Sequence, residues 1–283
     1  VAQAGMELLG VNGPEADAEV IAMAIQLFLE LGLQEFRIDI GQVEFFRGLM
    51  EEAGISEEEI IEIQNLIDRK DMLALEIALE KLPISQRVKD TIYRLPQLYG
   101  DGRILQEAMK ISHNAKCRAA VENIYQVYEI LKGYGFDRYV TFDLGMVQSF
   151  NFYTGIIFRC ITGELGYPIC GGGRYDNLVS EFGRDLPATG FAVGIKRLLI
   201  ALERQGKLVE VPKVDVLVVI KNGRRNEAYK FMQHLKSTNK RVEMFLPTDG
   251  LTSPLDYARK RRITKVVEFK EGESIVEYEV DLE

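Results

Sequence analysis

At 283 residues the chain is longer than a single small core requires, which sets an expectation of one large domain plus a smaller one. Its 47% hydrophobic and 28% charged residues are ordinary globular composition, and a net charge of −8 argues against nucleic-acid binding as the main task, which leaves a basic footprint. Three cysteines (Cys117, Cys160 and Cys170) are too few for a disulfide framework and fit a reducing cytoplasm, and no apolar run nears the roughly 18 residues of a membrane span.

Residues 1–10 read as a strand ending in glycine; the opening "VAQAGMELLG" lacks a methionine, and an upstream segment is expected. A helix is predicted from about Pro14, a favoured first-turn residue, with early acids in "PEADAEV" and with Ile21, Ile25 and Phe28 at helical spacing. "EFRIDI" (35–40) alternates Phe36, Ile38 and Ile40 with Arg37 and Asp39, the pattern of a strand with one wet face. From about 42 to 133 the texture is acidic, leucine-rich and helical, and Ser56 with Glu59 forms a capping-box signature. "RYVTFDLG" (138–145) returns to alternation, with Val140, Phe142 and Leu144 on one side. "GIIFRCIT" and "YPIC", joined by "GELG", predict an antiparallel hairpin. "TGFAVGIKRLLIALERQG" places Gly190 and Gly194 where a strand gives way to a helix. Beyond "KLVEVPK", the strand "VDVLVVI", a helix over 226–236, "RVEMFL", a short helix over 255–261 and "KVVEF" predict a small parallel-type α/β domain. The basic run "RKRRITK" (259–265) reads as a solvated, strand-flanking face.

Few residues carry obvious chemistry. His113 and Cys117 sit four apart but give only two ligands, and His234 has no companion, so no metal site is expected. Neither histidine lies near a glycine-framed serine or cysteine, so no catalytic triad is expected either. "CGGGRYD" (170–176) has two readings: an anion-binding nest of glycine amides, or glycines for a tight bend and close backbone approach. It lacks both the Lys-Ser/Thr of the ATPase loop and the dinucleotide spacing. Glu7 and Asp143 are candidates for buried carboxylates, each with a structural partner as the plainer alternative. The amide- and aromatic-rich "FDLGMVQSFNFYTGIIF" (142–158) suits the wall of a small polar pocket, yet it holds no cation, histidine or cysteine.

Taken in order, "FDLGMVQSFNFYTGIIF", "CGGGRYDNL" and "ATGFAVGIKRLL" resemble the two histidine-binding signatures and motif 3 of the histidyl-tRNA synthetase family. "QAGMELLG" and "PEADAEVIAMAIQLFLELGLQEFRIDIG" resemble the segment following motif 2. The resemblance implies a class II synthetase-like α+β fold: a mainly antiparallel sheet with flanking helices, a helical insertion, and a small C-terminal α/β domain. The implied boundaries are 1–41 with 134–208 for the catalytic-type domain, 42–133 for the insertion and 209–283 for a reduced anticodon-binding-like domain. Motif 1 and the arginine of motif 2 are not in the chain.

The departures matter as much as the matches. Where the family's first signature reads Arg-Gly-Leu-Asp-Tyr-Tyr, this chain has Gln148, Ser149, Phe150, Asn151, Phe152 and Tyr153. Glutamine cannot supply the fixed charge and forked donors that stabilise a phosphoryl-transfer transition state. In motif 3 the usual Glu-Arg becomes Lys196-Arg197. "IGQVEFFRGLMEEAGIS" running into an acidic insert is more similar to the paralogues that serve as regulatory subunits of ATP phosphoribosyltransferase. That likeness implies no catalysis and no cofactor. It implies a hetero-oligomer with the short-form catalytic subunit, a homodimer through the synthetase-like domain, and histidine as ligand in feedback inhibition. The histidine-side positions are Gln3, Glu7, Tyr153, Tyr175, Gly172 and Gly173. Two other readings stand beside it: an active histidyl-tRNA synthetase, and a pseudo-synthetase that binds RNA through its terminal domain. The acidic total counts against tRNA as a partner.

Overall fold

The structure, a computed structural model, describes residues 2–147, 152–208, 213–221, 223–247, 253–270 and 275–281. The chain divides into two compact units, Val1–Leu208 and Val209–Glu283.

In the first unit, strand β1 (Gln3–Leu9) turns out of the sheet at Gly10, where φ is 84°, and leads to helix α1 (Pro14–Glu30). The helix starts with Pro14 and carries Glu15 and Asp17 in its first turn, against the positive end of its dipole. Strand β2 (Arg37–Gln42) runs directly into α2 (Val43–Ala53), whose first turn is capped by the Gln42 side chain accepting from the Glu44 amide at 2.8 Å. Helix α3 (Glu57–Asp68) opens with a complete capping box. The Glu59 amide donates to Ser56 Oγ at 3.3 Å, and the Ser56 amide donates to Glu59 Oε2 at 2.8 Å. Next come α4 (Met72–Lys81) and α5 (Gln86–Arg94), capped by Asp71 and Ser85. The two-residue strand β3 (Tyr99–Gly100), α6 (Arg103–Ile111) and the long α7 (Ala115–Gly133), capped by Asn114, complete the helical region. This region is joined to the sheet at its edge, because β3 pairs with β4 (Val140–Asp143). Strands β5 (Ile156–Ile161), β6 (Cys170–Arg174) and β7 (Ala188–Gly194) and helix α8 (Ile195–Arg204) follow.

The sheet order is β1-β7-β6-β5-β2-β4-β3, antiparallel throughout except for the parallel pair β2–β4. Its two faces are unlike. Residues directly opposite one another share a face, and one such row runs Met6, Phe191, Gly172, Phe158, Ile40, Phe142. This face joins the core formed with Ile21, Ile25 and Phe28 of α1 and Val121, Ile124 and Val127 of α7. The opposite face carries two adjacent rows, Glu7-Gly190-Gly173-Ile157 and Gly5-Ala192-Gly171-Arg159-Asp39-Thr141. Apart from Ile157 and the charged or polar residues, that face of the sheet carries only glycine and alanine, so the strands leave a trough that other side chains partly fill: Gly173 and Gly190 are buried, Gly171 is exposed.

Several expectations change here. Asp39 does not line a wet face: it is 1% exposed and ion-paired to Arg159. The second arm of the hairpin is "CGGGR", so the glycines lie inside β6 instead of bending the chain after "YPIC". Gly190 sits in mid-strand, and only Gly194 marks the passage into α8.

The second unit has a four-stranded sheet. Strands β8 (Val216–Ile220), β9 (Val242–Met244) and β10 (Lys265–Phe269) run parallel in the order β10-β8-β9, with α9 (Arg225–Ser237) and α10 (Pro254–Arg261) beside them. A further strand, β11 (Ile275–Glu279), adds to β10 antiparallel, so the sheet is mixed and not purely parallel. Each unit buries its own core, Phe28 in the first and Phe269 in the second. Phe28→Ala is therefore expected to cost the first unit about 3–5 kcal/mol. Native-state hydrogen exchange should show lower protection for α1 and α7 amides, with β8 and β10 amides unchanged.

Candidate ligand-binding site

Glu7 projects from edge strand β1 onto the trough face, and the Tyr175 hydroxyl donates a short hydrogen bond to its carboxylate. The neighbour opposite Glu7 is Gly190, and a Cβ at Gly190 would fall on the Glu7 carboxylate. The next neighbour, Gly173, leaves room for Tyr153: a Cβ there would lie 3.0 Å from the Tyr153 ring. At Gly190 glycine serves side-chain clearance above the strand; at Gly173 a Cβ would also meet the Ile156 carbonyl at 2.5 Å, so close backbone approach requires it too. The Phe152 ring packs edge-on to Tyr175 at 6.0 Å and tilted against Tyr153 at 4.4 Å, so three aromatic rings stand beside one carboxylate. Burial, followed by the hydrogen bond to Glu7 and its charge, pushes the Tyr175 phenol well above its ordinary value. Burial, then Glu7, does the same for Tyr153. Both therefore stay neutral hydroxyls, able to donate and accept, across the physiological range.

Arg174, at the end of β6 and 5% exposed, fixes this arrangement. Its Nε donates to both oxygens of Asp17 at 3.1 Å, and its Nη1 to Asp176 at 3.0 Å. The carbonyls of Val11 and Gly13 accept its remaining donors at 3.4 and 3.2 Å. Its own carbonyl accepts from the Thr154 amide at 2.7 Å, and Thr154 Oγ1 accepts from the Asp176 amide at 3.0 Å. The residues flanking Tyr153 and Tyr175 are thereby tied together and to the start of α1. The insertion is tied in as well: Arg47 of α2 donates to the Tyr153 carbonyl at 2.9 Å, and the Val43 amide to the Gly155 carbonyl at 3.1 Å.

The structure thus brings Glu7, Tyr153, Tyr175 and Gly173 together. Gln3 shares the Glu7 face but lies four residues back, roughly 14 Å along the strand. Gly172 does not belong to the trough. It faces the core, where the Phe158 and Phe191 rings approach to 6.5 Å across it, and a Cβ would lie 2.7 Å from that of Phe191. Glu7 is exposed and not buried, because β1 is the last strand of its sheet and Gly190 opens the space beside it. Lys196 is exposed on the first turn of α8. Arg197 lies over Gly194, donating to the Pro168 carbonyl at 2.7 Å with its guanidinium 5.0 Å from the Tyr167 ring, away from the tyrosine pair. Gln148 and Asn151 lie outside the described residues.

A second polar cluster on the same face had no single signal in the sequence. Arg159 bridges Asp39 and Asp143 at 3.2 Å each, and Thr141 donates to Asp39 at 2.6 Å. Burial raises the Asp143 carboxyl, opposed by the charge of Arg159. The alternation of "IIFRCI" puts Arg159 on the trough face, but its two carboxylates come from other strands. Among the described residues no three His, Cys, Asp or Glu side chains gather as a metal would need. All three cysteines are buried and free, with Cys160 opposite Cys170 on neighbouring strands.

What the site can do follows from these groups. The carboxylate can hold a cation, and two neutral phenols can hydrogen-bond and face a flat ring, while Gly190 and Gly173 give Glu7 and Tyr153 the room they occupy. The arrangement depends on the Arg174–Asp17 pair, so Asp17→Asn is expected to cost about 3 kcal/mol by leaving buried positive charge undercompensated. Urea unfolding would measure the loss, and the Thr154 amide should lose exchange protection first.

Comparison with known proteins gives the family of the chain. The family model described as histidyl-tRNA synthetase matches residues 1–198. A protein of Ruminiclostridium cellulolyticum, described as an ATP phosphoribosyltransferase regulatory subunit, is 41% identical over 98% of this chain and 66% of its own length. One of the same description from Acetivibrio thermocellus is 43% identical over 96% of this chain and 65% of its own. The chain thus spans about two thirds of the length of these relatives. The crystal structure of an ATP phosphoribosyltransferase regulatory subunit/histidyl-tRNA synthetase from Bacillus halodurans superposes with a TM-score of 0.76 at 30% identity, covering 94% of this chain and 67% of that one. A histidyl-tRNA synthetase of a Nostoc species shares the fold, with a TM-score of 0.71 at 21% identity, over 98% of this chain and 72% of its own. The α+β fold is that of the class II histidyl-tRNA synthetases, and no helix among the described residues is long and apolar enough to cross a membrane. The chain belongs to the histidyl-tRNA synthetase family, among the relatives described as ATP phosphoribosyltransferase regulatory subunits.

Proposed function

We propose that the protein is a regulatory, non-catalytic subunit of ATP phosphoribosyltransferase, acting at the first step of histidine biosynthesis, and that the Glu7–Tyr175–Tyr153 cleft takes free histidine. The observation that carries the ligand reading is the Glu7–Tyr175 hydrogen bond standing above Gly190. Glu7 receives the α-ammonium of the amino acid, and the two tyrosines hold the imidazole by hydrogen bonds and ring contact. Gln148 stands where the family's catalysts have an arginine, so the cleft binds an amino acid without the fixed charge that activates its carboxylate. In this reading the subunit pairs with itself through the synthetase-like unit and assembles with a short catalytic subunit. Histidine binding then couples to catalysis by the free-energy linkage between two sites, typically about 1–3 kcal/mol.

The RNA-binding reading draws less support. Three of the five cations in the basic run that starts on α10 have an acidic neighbour: Arg259 pairs with Asp256 at 2.9 Å, Arg261 with Glu243 at 3.8 Å, and Lys265 of β10 with Glu277.

The decisive assay mixes the protein with the short catalytic subunit, ATP and phosphoribosyl pyrophosphate and follows phosphoribosyl-ATP. Activity that needs both proteins and falls on adding histidine supports the reading; no stimulation at any ratio overturns it. Calorimetry locates the ligand. Glu7→Gln removes a charge-assisted contact worth roughly 1.5–3 kcal/mol, so histidine affinity should fall about 10- to 100-fold. Gly190→Ala should weaken it similarly by displacing the carboxylate. Unchanged affinity in both variants would move histidine out of this cleft.

A further inference from the structure

Apart from the tyrosine cleft, the first unit carries a second concavity, a groove of about 910 Å³ at the other end of β5. Its walls come from the end of α1 and the turn after it, the start of β2, the residues before β4, the end of β5 and Lys207. Three cations line it: Arg37, Arg138 and Lys207. Two of them are positioned by the fold. Arg37 donates to the Arg138 carbonyl. Arg138 donates to the Tyr139 hydroxyl at 2.6 Å with its guanidinium 4.7 Å from that ring, and the ring is itself stacked on Phe36 at 5.1 Å. Yet among the described residues none of the three is ion-paired to a carboxylate, in a protein whose net charge is −8. Glu35 is the one acid in the lining.

An independent observation comes from the floor. Thr162, 5% exposed, lines the same groove, and its Oγ1 is buried without a hydrogen-bond partner. A buried hydroxyl left unmatched is costly, and folded proteins rarely leave one so. Three cations without a carboxylate partner (Arg37 and Arg138 exposed, Lys207 half-buried) and an unmatched hydroxyl around one groove fit the same complement, an oxygen-rich anion. Phosphate suits it best, because Arg offers forked donors and Lys a mobile charge to its oxygens. The volume is that of a metabolite-sized pocket, larger than a lone oxyanion needs.

We propose that this groove binds a phosphate-bearing small molecule, with Arg37, Arg138 and Lys207 on the phosphate oxygens and Thr162 donating to one of them once rotation about χ1 turns its covered hydroxyl toward the groove. The site is separate from the amino-acid cleft and does not depend on that assignment.

Calorimetry with inorganic pyrophosphate, ribose 5-phosphate and ATP as probes tests the proposal and tells a bare phosphate, a sugar phosphate and a nucleotide apart. At constant ionic strength at least one probe should bind with sub-millimolar affinity. Arg37→Gln with Arg138→Gln should weaken it tenfold or more, and Tyr175→Phe should leave it unchanged. Thr162→Val gives a readout that a structural role would not: it should unfold at the same or a higher temperature, since it removes an unmatched hydroxyl, while binding its probe several-fold more weakly. Binding that sodium chloride at equal ionic strength abolishes, binding indifferent to both sets of variants, or no binding of any probe up to millimolar concentration would each overturn the proposal.

Discussion

Burying an arginine requires a partner for each of its donors, and at Arg174 those partners come from four places in the chain: Asp17 on α1, the carbonyls of Val11 and Gly13, and Asp176. The charge leaves the strand little freedom, because moving β6 against α1 would strand a cation away from water. The same residue's carbonyl holds the Thr154 amide, so both chain segments that bear the tyrosines are referenced to one point. A structural ion pair thus lies directly behind the cleft and fixes the register of its two segments.

That anchoring acts on a sheet whose two faces have different purposes. The core face is aromatic and branched, with Phe158 and Phe191 meeting over Gly172. The trough face is built from Gly5, Gly171, Gly173, Gly190 and Ala192, punctuated by Glu7, Arg159 and Asp39. Glycine weakens a strand by its backbone entropy and its lack of packing. Here pairing on both sides of β6 and β7 and the helices on the far face offset that loss. A wall of small residues leaves room beside the strands for the side chains of Glu7 and Tyr153 and for the Arg159 cluster.

Much of this was legible in the sequence where the signal is local. Pro14 with its early acids marked α1, and Ser56 with Glu59 marked α3, because capping depends on residues within one turn. The glycines of β6 and β7 were read as punctuation, since nothing nearby shows that Glu7 and Tyr153 occupy the volume a side chain would take. Asp39 looked solvated because alternation divides residues into inside and outside without naming a partner; Arg159 lies 120 residues away. Strand β11 escaped because its inward residues are only half buried, which blunts the alternation. For the site itself, Glu7, Tyr153 and Tyr175 came from motif resemblance; periodicity cannot join residues 168 positions apart. The same resemblance included Gly172, whose opposite orientation only the strand register reveals.

If the cleft takes an amino acid as proposed, the hydrogen bond between Tyr175 and Glu7 makes the cleft its own competitor. The phenol already occupies the carboxylate that an incoming ammonium would take, so each binding event is an exchange of partners. Apparent affinity is then the intrinsic affinity multiplied by the fraction of molecules in which the tyrosine has let go. Such a site binds with proportionally weaker affinity and half-fills at a correspondingly higher ligand concentration. That concentration depends on how firmly one hydroxyl holds the carboxylate.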